Sequence, residues 1–296
     1  MYWSIPYEQS ISTYGTSYKR ATLFFPEDIK KAVFVLYAFV READNIVDIG
    51  NETDTDKYQR LHVLYQETKH VYDTACTSPT SLIESYVTVC KTYNIPRERT
   101  DHFFTAMNAD LTKKHYTTYR ELQEYMHGSA EVIGLMMGKI IGMDEQGVKA
   151  AKKLGEAMQY TNFLRDIKED YCVHKRLYIP SERLQPFGLG HADIIRYCEG
   201  ESVTAARKAF MKHEIHSTRT LYDEAVPWIV YLHKQGRLPV YLSAALYEAI
   251  LDRIEAHNYD VFEHDMHTTR LKKARIVLEK STCRLRKQRT YTSFTF

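Results

Sequence analysis

Apolar residues recur along most of this chain at intervals of three and four, and few stretches alternate as a strand would. Glycine (12) and proline (8) are sparse among the 296 residues, so little interrupts that rhythm. The pattern predicts an all-α protein. A first helix starts at Pro26-Glu27-Asp28, where proline and acids suit a helix N-terminus. It runs through KKAVFVLYAFVREADNIVD to a stop near Gly50. A polar loop, NETDTDK, covers 51–57. Further helices are expected at about 58–76, 80–93, 97–112, 119–141, 145–173, 202–218, 219–235, 239–257 and 268–288. The segment 174–192 contains Pro180, Pro186, Gly188 and Gly190 and is expected to be irregular. No internal repeat, low-complexity run or long linker divides the chain, so residues 1–296 are expected to form a single domain around one core.

Two of these helices carry candidate chemistry. At about 100° per residue, Val33, Tyr37, Arg41, Asp44 and Asp48 fall within an arc of about 80°. Asp44 and Asp48 are therefore surface neighbours whose charges repel, where a helix shaped for stability alone would pair Glu with Lys. Gln159, Asn162, Asp166 and Asp170 also share about 80° of one face. Two carboxylates and two carboxamides in line suit a hard cation that takes oxygen ligands. Mg²⁺ in particular keeps waters and binds through one or two carboxylates plus substrate phosphate. Two such faces could hold metals around a diphosphate between them, and metals and arginines would then assist C–O cleavage. A single DxxxD is most often a solvated pair. Here there are two, each in an apolar context and each with an arginine close by, Arg41 and Arg165.

Charge and composition narrow the setting. Charged residues are 26% and hydrophobic residues 44%, an ordinary globular balance. A net charge of +2 gives no global field that would call for nucleic acid. The C-terminus is the exception: from Arg270 onward nine basic residues face one acid, Glu279. That tail could make peripheral contact with an anionic membrane surface, although a solvated helix face and a frayed end explain it more simply. The five cysteines are scattered and odd in number, with no CxxC pair and no zinc spacing, which reads as reduced thiols in the cytoplasm. The N-terminus MYWSIPYEQS lacks the basic start and apolar stretch of a signal peptide. No apolar run approaches the roughly 20 residues that span a bilayer. An apolar substrate would have to be met at a membrane surface or inside a pocket.

At the acidic faces the sequence resembles the squalene/phytoene synthase family, the head-to-head prenyl synthases. AVFVLYAFVREADNIVD resembles the family's first aspartate motif. EAMQYTNFLRDIKEDYCVHKRLYIP resembles the second, with its trailing Arg176, Tyr178 and Pro180. ELQEYMHGSAEVIGLMMG resembles the central helix and LSAALYEAILDRIEAHNYDVF the late helix. The likeness covers about residues 14–275, leaving a basic tail at about 276–296. It implies an all-α isoprenoid-synthase fold with helices around a central cavity. It implies Mg²⁺, with Mn²⁺ as a substitute, held through diphosphate by Asp44, Asp48, Asn162, Asp166 and Asp170. It implies prenyl diphosphate substrates: one ionises, a second attacks the cation through its double bond, and a cyclopropylcarbinyl diphosphate forms and rearranges. Phytoene synthases end by proton loss, whereas squalene synthases end by hydride transfer from NADPH.

By position, the resemblance gives Arg41, Arg165, Tyr247, Tyr37 and Ser17 contacts with substrate, and sets Tyr125 and Gln159 beside the reacting carbons or the diphosphate. Tyr125, Ser129, Val132 and Met136 share about 60° and are expected to wall the isoprenoid tail, although core packing would look the same. The string GSAEVIGLMM is more like phytoene synthases, so the leading expectation is condensation of two geranylgeranyl diphosphates to phytoene. The alternative is a squalene or dehydrosqualene synthase using farnesyl diphosphate, with NADPH needed only for squalene. Two segments depart from the family. Gly15-Thr16-Ser17-Tyr18 has Thr16 where relatives carry lysine, and Asp265 stands where relatives often carry arginine.

Overall fold

The computed structural model describes residues 21–74, 78–202, 204–263, 266, 268, 269 and 271–279. Among these the chain is helical, and extended backbone pairs only at two isolated bridges, His115 with Leu177 and Met143 with Leu232. Ser17, its neighbours Gly15, Thr16 and Tyr18, Asp265, and the basic tail from Lys280 lie outside the described residues.

Helix α1 spans Glu27–Asp48, with Pro26 before it and Glu27 and Asp28 in its first turn. The next helices are α2 (Asp54–Asp73), α3 (Leu82–Thr92), α4 (Arg97–Thr112) and α5 (Tyr119–Met126). The expected loop at 51–57 is shorter than its composition suggests. Thr53 and Asp56 form a reciprocal capping box, so the acids of NETDTDK start α2 rather than join it to α1. Helix α5 runs into a π turn, His127–Glu131, and continues as α6, Val132–Ile141. Helix α7 (Gly147–Arg165) breaks at Asp166, whose φ of −102° and ψ of 12° leave the helical region, and α8 (Ile167–His174) follows directly. The expected single helix over 145–173 is thus two.

The segment 174–192 is more ordered than its prolines and glycines suggest: it contains α9 (Ser181–Leu184) and the start of α10 (His191–Cys198). The two helices expected at 202–218 and 219–235 are one, α11 (Ala205–Ala225), with a 3-10 turn at Val226–Tyr231 set by Pro227. Helix α12 (Lys234–Ala256) begins before Pro239 and retains it inside, giving up one backbone hydrogen bond. A last described helix covers 271–279. No helix among the described residues is long and apolar enough to cross a membrane.

Helix α7 is the organising element. It packs on α5, the π turn and α6 on one side, and on α11, α12 and the turn at 226–231 on the other. Helix α1 packs on α2, α3, α4 and α6. A large apolar core ties both groups together, with Leu36, Phe39, Tyr86, Phe103, Phe104 and Phe163 among its buried members. The α6–α7 seam is unusually close. A Cβ on Gly134 would collide with the backbone oxygen of Ala151, and one on Gly155 would lie 2.8 Å from the oxygen of Ala130. Glycine gives up helix propensity there to let two backbones touch.

Candidate active site

Between α1 and α7 lies a cavity of about 940 Å³. Its polar end gathers Asp44 and Asp48 from the end of α1 with Asn162, Arg165, Asp166 and Asp170 from the α7–α8 break. The stretch of α7 from Ala150 to Arg165, both on the wall, rises about 22 Å. Away from the carboxylates the lining turns apolar and small, with Ala130, Ile133, Gly134, Met137, Gly138 and Leu154. One charged end and one long greasy barrel suit an anionic head on an apolar tail.

At the acidic end, burial and neighbouring carboxylates oppose ionisation. Burial, and then the charge of Asp48, push the Asp44 carboxyl up to about 7. Burial, and then Asp166, push Asp170 well above the usual carboxylate range. Arg41 Nη1 lies 3.8 Å from Asp44, and Arg165 grips Asp166 through two bonds of 2.7 and 2.5 Å. Among the described residues no partner reaches the buried Oδ1 of Asn162 or the buried Oγ of Ser129. An acceptor left open beside carboxylates that resist ionisation is a donor set that fits a divalent cation. Among the described residues no three His, Cys, Asp or Glu side chains converge enough to hold an ion by themselves.

Tyr37, Arg41, Asp44, Asp48, Tyr125, Ser129, Gln159, Asn162, Arg165, Asp166, Asp170 and Tyr247 all line this one cavity. Val132 and Met136 do not. Both are 1% exposed and turn into the core, where Met136 Sδ accepts from the Tyr86 hydroxyl at 3.8 Å. The π turn is the reason. It inserts one residue between Tyr125 and α6, which rotates everything downstream by about 100°. Ile133 and Met137 therefore take the wall positions that α-helical phasing assigns to Val132 and Met136.

Sequence reasoning missed Asp110. It is 5% exposed and lines the cavity from α4. Its carboxylate accepts from the Tyr125 and Tyr178 hydroxyls, each at 2.8 Å. Burial pushes its pKa up to about 6, with Arg176 and the two hydroxyls pulling the other way. The available signal was an acid on the same stripe as the buried Phe103 and Met107. Arg176 is the node of the network: Nη1 donates to Asp48 at 2.8 Å and Nε to the Asp110 carbonyl at 2.9 Å. Behind it Phe163 and Tyr178 stack at 4.3 Å between centroids, with Tyr125 5.5 Å from Tyr178.

The chain is 31% identical over 274 residues to the chloroplastic phytoene synthase of Daucus carota, covering 88% of this chain and 65% of that one. It is equally similar to the chloroplastic phytoene synthase 2 of Zea mays, 31% over 274 residues, covering 88% and 64%. It thus spans a little under two thirds of the length of these curated relatives. A dehydrosqualene synthase solved with a ligand superposes with a TM-score of 0.81 at 24% identity, over 94% of this chain and 95% of that one. A squalene synthase from Alicyclobacillus acidocaldarius gives 0.75 at 22%, over 86% and 93%. These two share the all-helical fold. The squalene/phytoene synthase profile matches residues 11–275, so the chain belongs to the squalene/phytoene synthase family.

Proposed function

We propose that this chain condenses two geranylgeranyl diphosphates head to head into phytoene, through the cyclopropyl prephytoene diphosphate, with loss of two diphosphates and two protons, one as the cyclopropane closes and one from the final cation. One observation carries the reading: both acidic faces meet at the polar end of a single cavity whose remainder is apolar and long. Phytoene synthases at 31% identity support the choice of a four-isoprene tail.

Asp44, Asp48, Asn162, Asp166 and Asp170 would hold Mg²⁺, or Mn²⁺ in its place, and the bound ion would neutralise charge on the leaving diphosphate. Arg41, Arg165 and Tyr247 hold phosphate oxygens at the same end. Tyr37 stands beside them, its hydroxyl pushed up to about 12, chiefly by burial, so it acts as a neutral donor. Gln159 orients the head. The ring faces of Tyr125, Phe163 and Tyr178 shelter the allylic cation, as aromatic quadrupoles do for any buried positive charge. The dry barrel beyond Ser129 and Ile133 holds the tail and keeps water from quenching the cation.

The test is to incubate the protein with geranylgeranyl or farnesyl diphosphate and Mg²⁺, with and without NADPH, and to identify the hydrocarbon. Phytoene from the longer substrate, without NADPH, is the expected result. Turnover of farnesyl diphosphate alone would replace this reading by a squalene or dehydrosqualene synthase. Asp44→Ala and Asp166→Ala should each lower turnover by about 10²- to 10³-fold. Full Mg²⁺-dependent turnover in both would refute the metal roles.

A further inference from the structure

Away from the carboxylates the cavity is lined where α6 ends and α12 begins. Helix α6 ends there at Ile141, which is 3% exposed and lines the cavity. The chain leaves through Gly142 at a φ of +85°, a conformation that branched residues resist. The loop is then pinned to the start of α12: Met143 bridges Leu232, and the His233 N–H donates to the Gly142 carbonyl at 2.7 Å. Leu232 and Val240 line the same end. Opposite Ile141, α12 presents a glycine. A Cβ on Gly236 would fall well inside contact with Cγ2 of Ile141. One branch of Ile141 therefore lies directly on the α12 backbone. Nor is there slack behind α6, because Met143 fills the notch at Gly138, where a Cβ would lie 2.5 Å from its sulfur.

We infer that Ile141, seated on Gly236, is the floor that sets the longest prenyl tail the cavity accepts. The inference rests on the prenyl diphosphate reading above. A tail anchored at the carboxylates runs along α7 toward Ala150 and meets Ile141 at the end of that path. A longer tail must displace Ile141, and the touching α12 backbone leaves it no room. Apolar pockets discriminate one methylene by about 10- to 200-fold, so a whole isoprene unit against a fixed floor should be felt strongly.

The geometry gives two substitutions with opposite effects. Ile141→Ala removes the floor. Gly236→Ala adds a methyl beneath Ile141 and drives it into the cavity. The experiment measures kcat/KM for prenyl diphosphates of three, four and five isoprene units with Mg²⁺. Binding of unreactive thio-diphosphate analogues of the same tails is measured alongside. Ile141→Ala should raise the five-over-four-unit ratio by about tenfold or more. Gly236→Ala should lower the four-over-three-unit ratio by a similar factor. The double variant, with the new methyl in the vacated space, should return both ratios toward wild type. If Gly236→Ala does not fold, Ile141→Phe takes its place and should also favour the shorter tail. Unchanged ratios in folded single variants, or shifts in the same direction, would overturn the inference. If the wild type turns over none of the three substrates, the enzymatic reading fails, and the analogue binding ratios still decide the floor.

Discussion

Asp110 carries no formal bond to substrate in the proposed reaction, yet it holds two residues that face it. Its two carboxylate oxygens fix the hydroxyls of Tyr125 and Tyr178, so both rings are oriented by one buried acid. Asp110→Asn keeps the size but makes one acceptor position a donor, so one tyrosine loses the charge-assisted bond it donates and can only accept from the amide. At about 0.5–1.5 kcal/mol for one hydrogen bond, kcat should fall several-fold to about tenfold with KM little changed. Adding Tyr125→Phe should cost less than the sum of the two single losses, which steady-state kinetics on the three variants would check. The acidic faces that line the cavity were legible in the sequence because acids four apart on one stripe leave a pattern. Asp110 was not, because a single acid at the end of FFTAMNAD looks like a helix end until its partners from α5 and 178 are seen.

Elements were legible where their ends carry chemistry and obscure where they bend. Pro26 and Gly50 bracket α1 closely, whereas nothing in HGSAE announces a π turn or in FLRDIK a break. Helical phasing at about 100° per residue assumes neither, so it put Val132 and Met136 on the wall and left Ile133 and Met137 unnoticed. The seam beside that turn gives a test. Gly134→Ala places a methyl against a backbone oxygen of α7, which no rotamer can relieve. It should destabilise by about 1–3 kcal/mol despite alanine's better helix propensity. Gly138→Ala meets the flexible thioether end of Met143 and should cost less. Chemical denaturation of the two variants would rank them, and the reverse order would mean that the α6–α7 approach is not a limiting contact.

At the scale of the whole molecule, the acidic end is a store of electrostatic strain. Burial, and then Asp48, push the folded Asp44 carboxyl up to about 7, and burial pushes Asp110 up to about 6, both above the ordinary carboxylate range. A carboxyl with a raised folded pKa binds more protons folded than unfolded between its unfolded and folded values. Stability therefore falls as pH rises through that window. The metal-free protein should melt at a lower temperature at pH about 8 than at about 5.5, with a shallower slope in Asp44→Asn. Mg²⁺ with inorganic diphosphate should recover the loss at high pH, because a ligand bound only by the folded state adds stability. Melts that are flat across this range would contradict the burial of Asp44. The Asp44–Asp48 repulsion was readable in the sequence, but the larger part of the strain was not, since desolvation depends on α1 and α8 meeting across one mouth.

Asp48 is the last residue of α1, and no basic residue occupies that last turn. The aligned peptide dipoles of a long helix leave about half a negative charge at this end. Two carboxylates are thus added where the backbone is already negative, a place that stability alone would give to a cation. On the proposed reading, a bare diphosphate approaching this mouth is turned back by the helix end as well as by the aspartates. It enters only as an ion pair whose charge is already balanced. The cavity then screens what it admits twice, first by ionic form at the rim and afterwards by tail length at the floor.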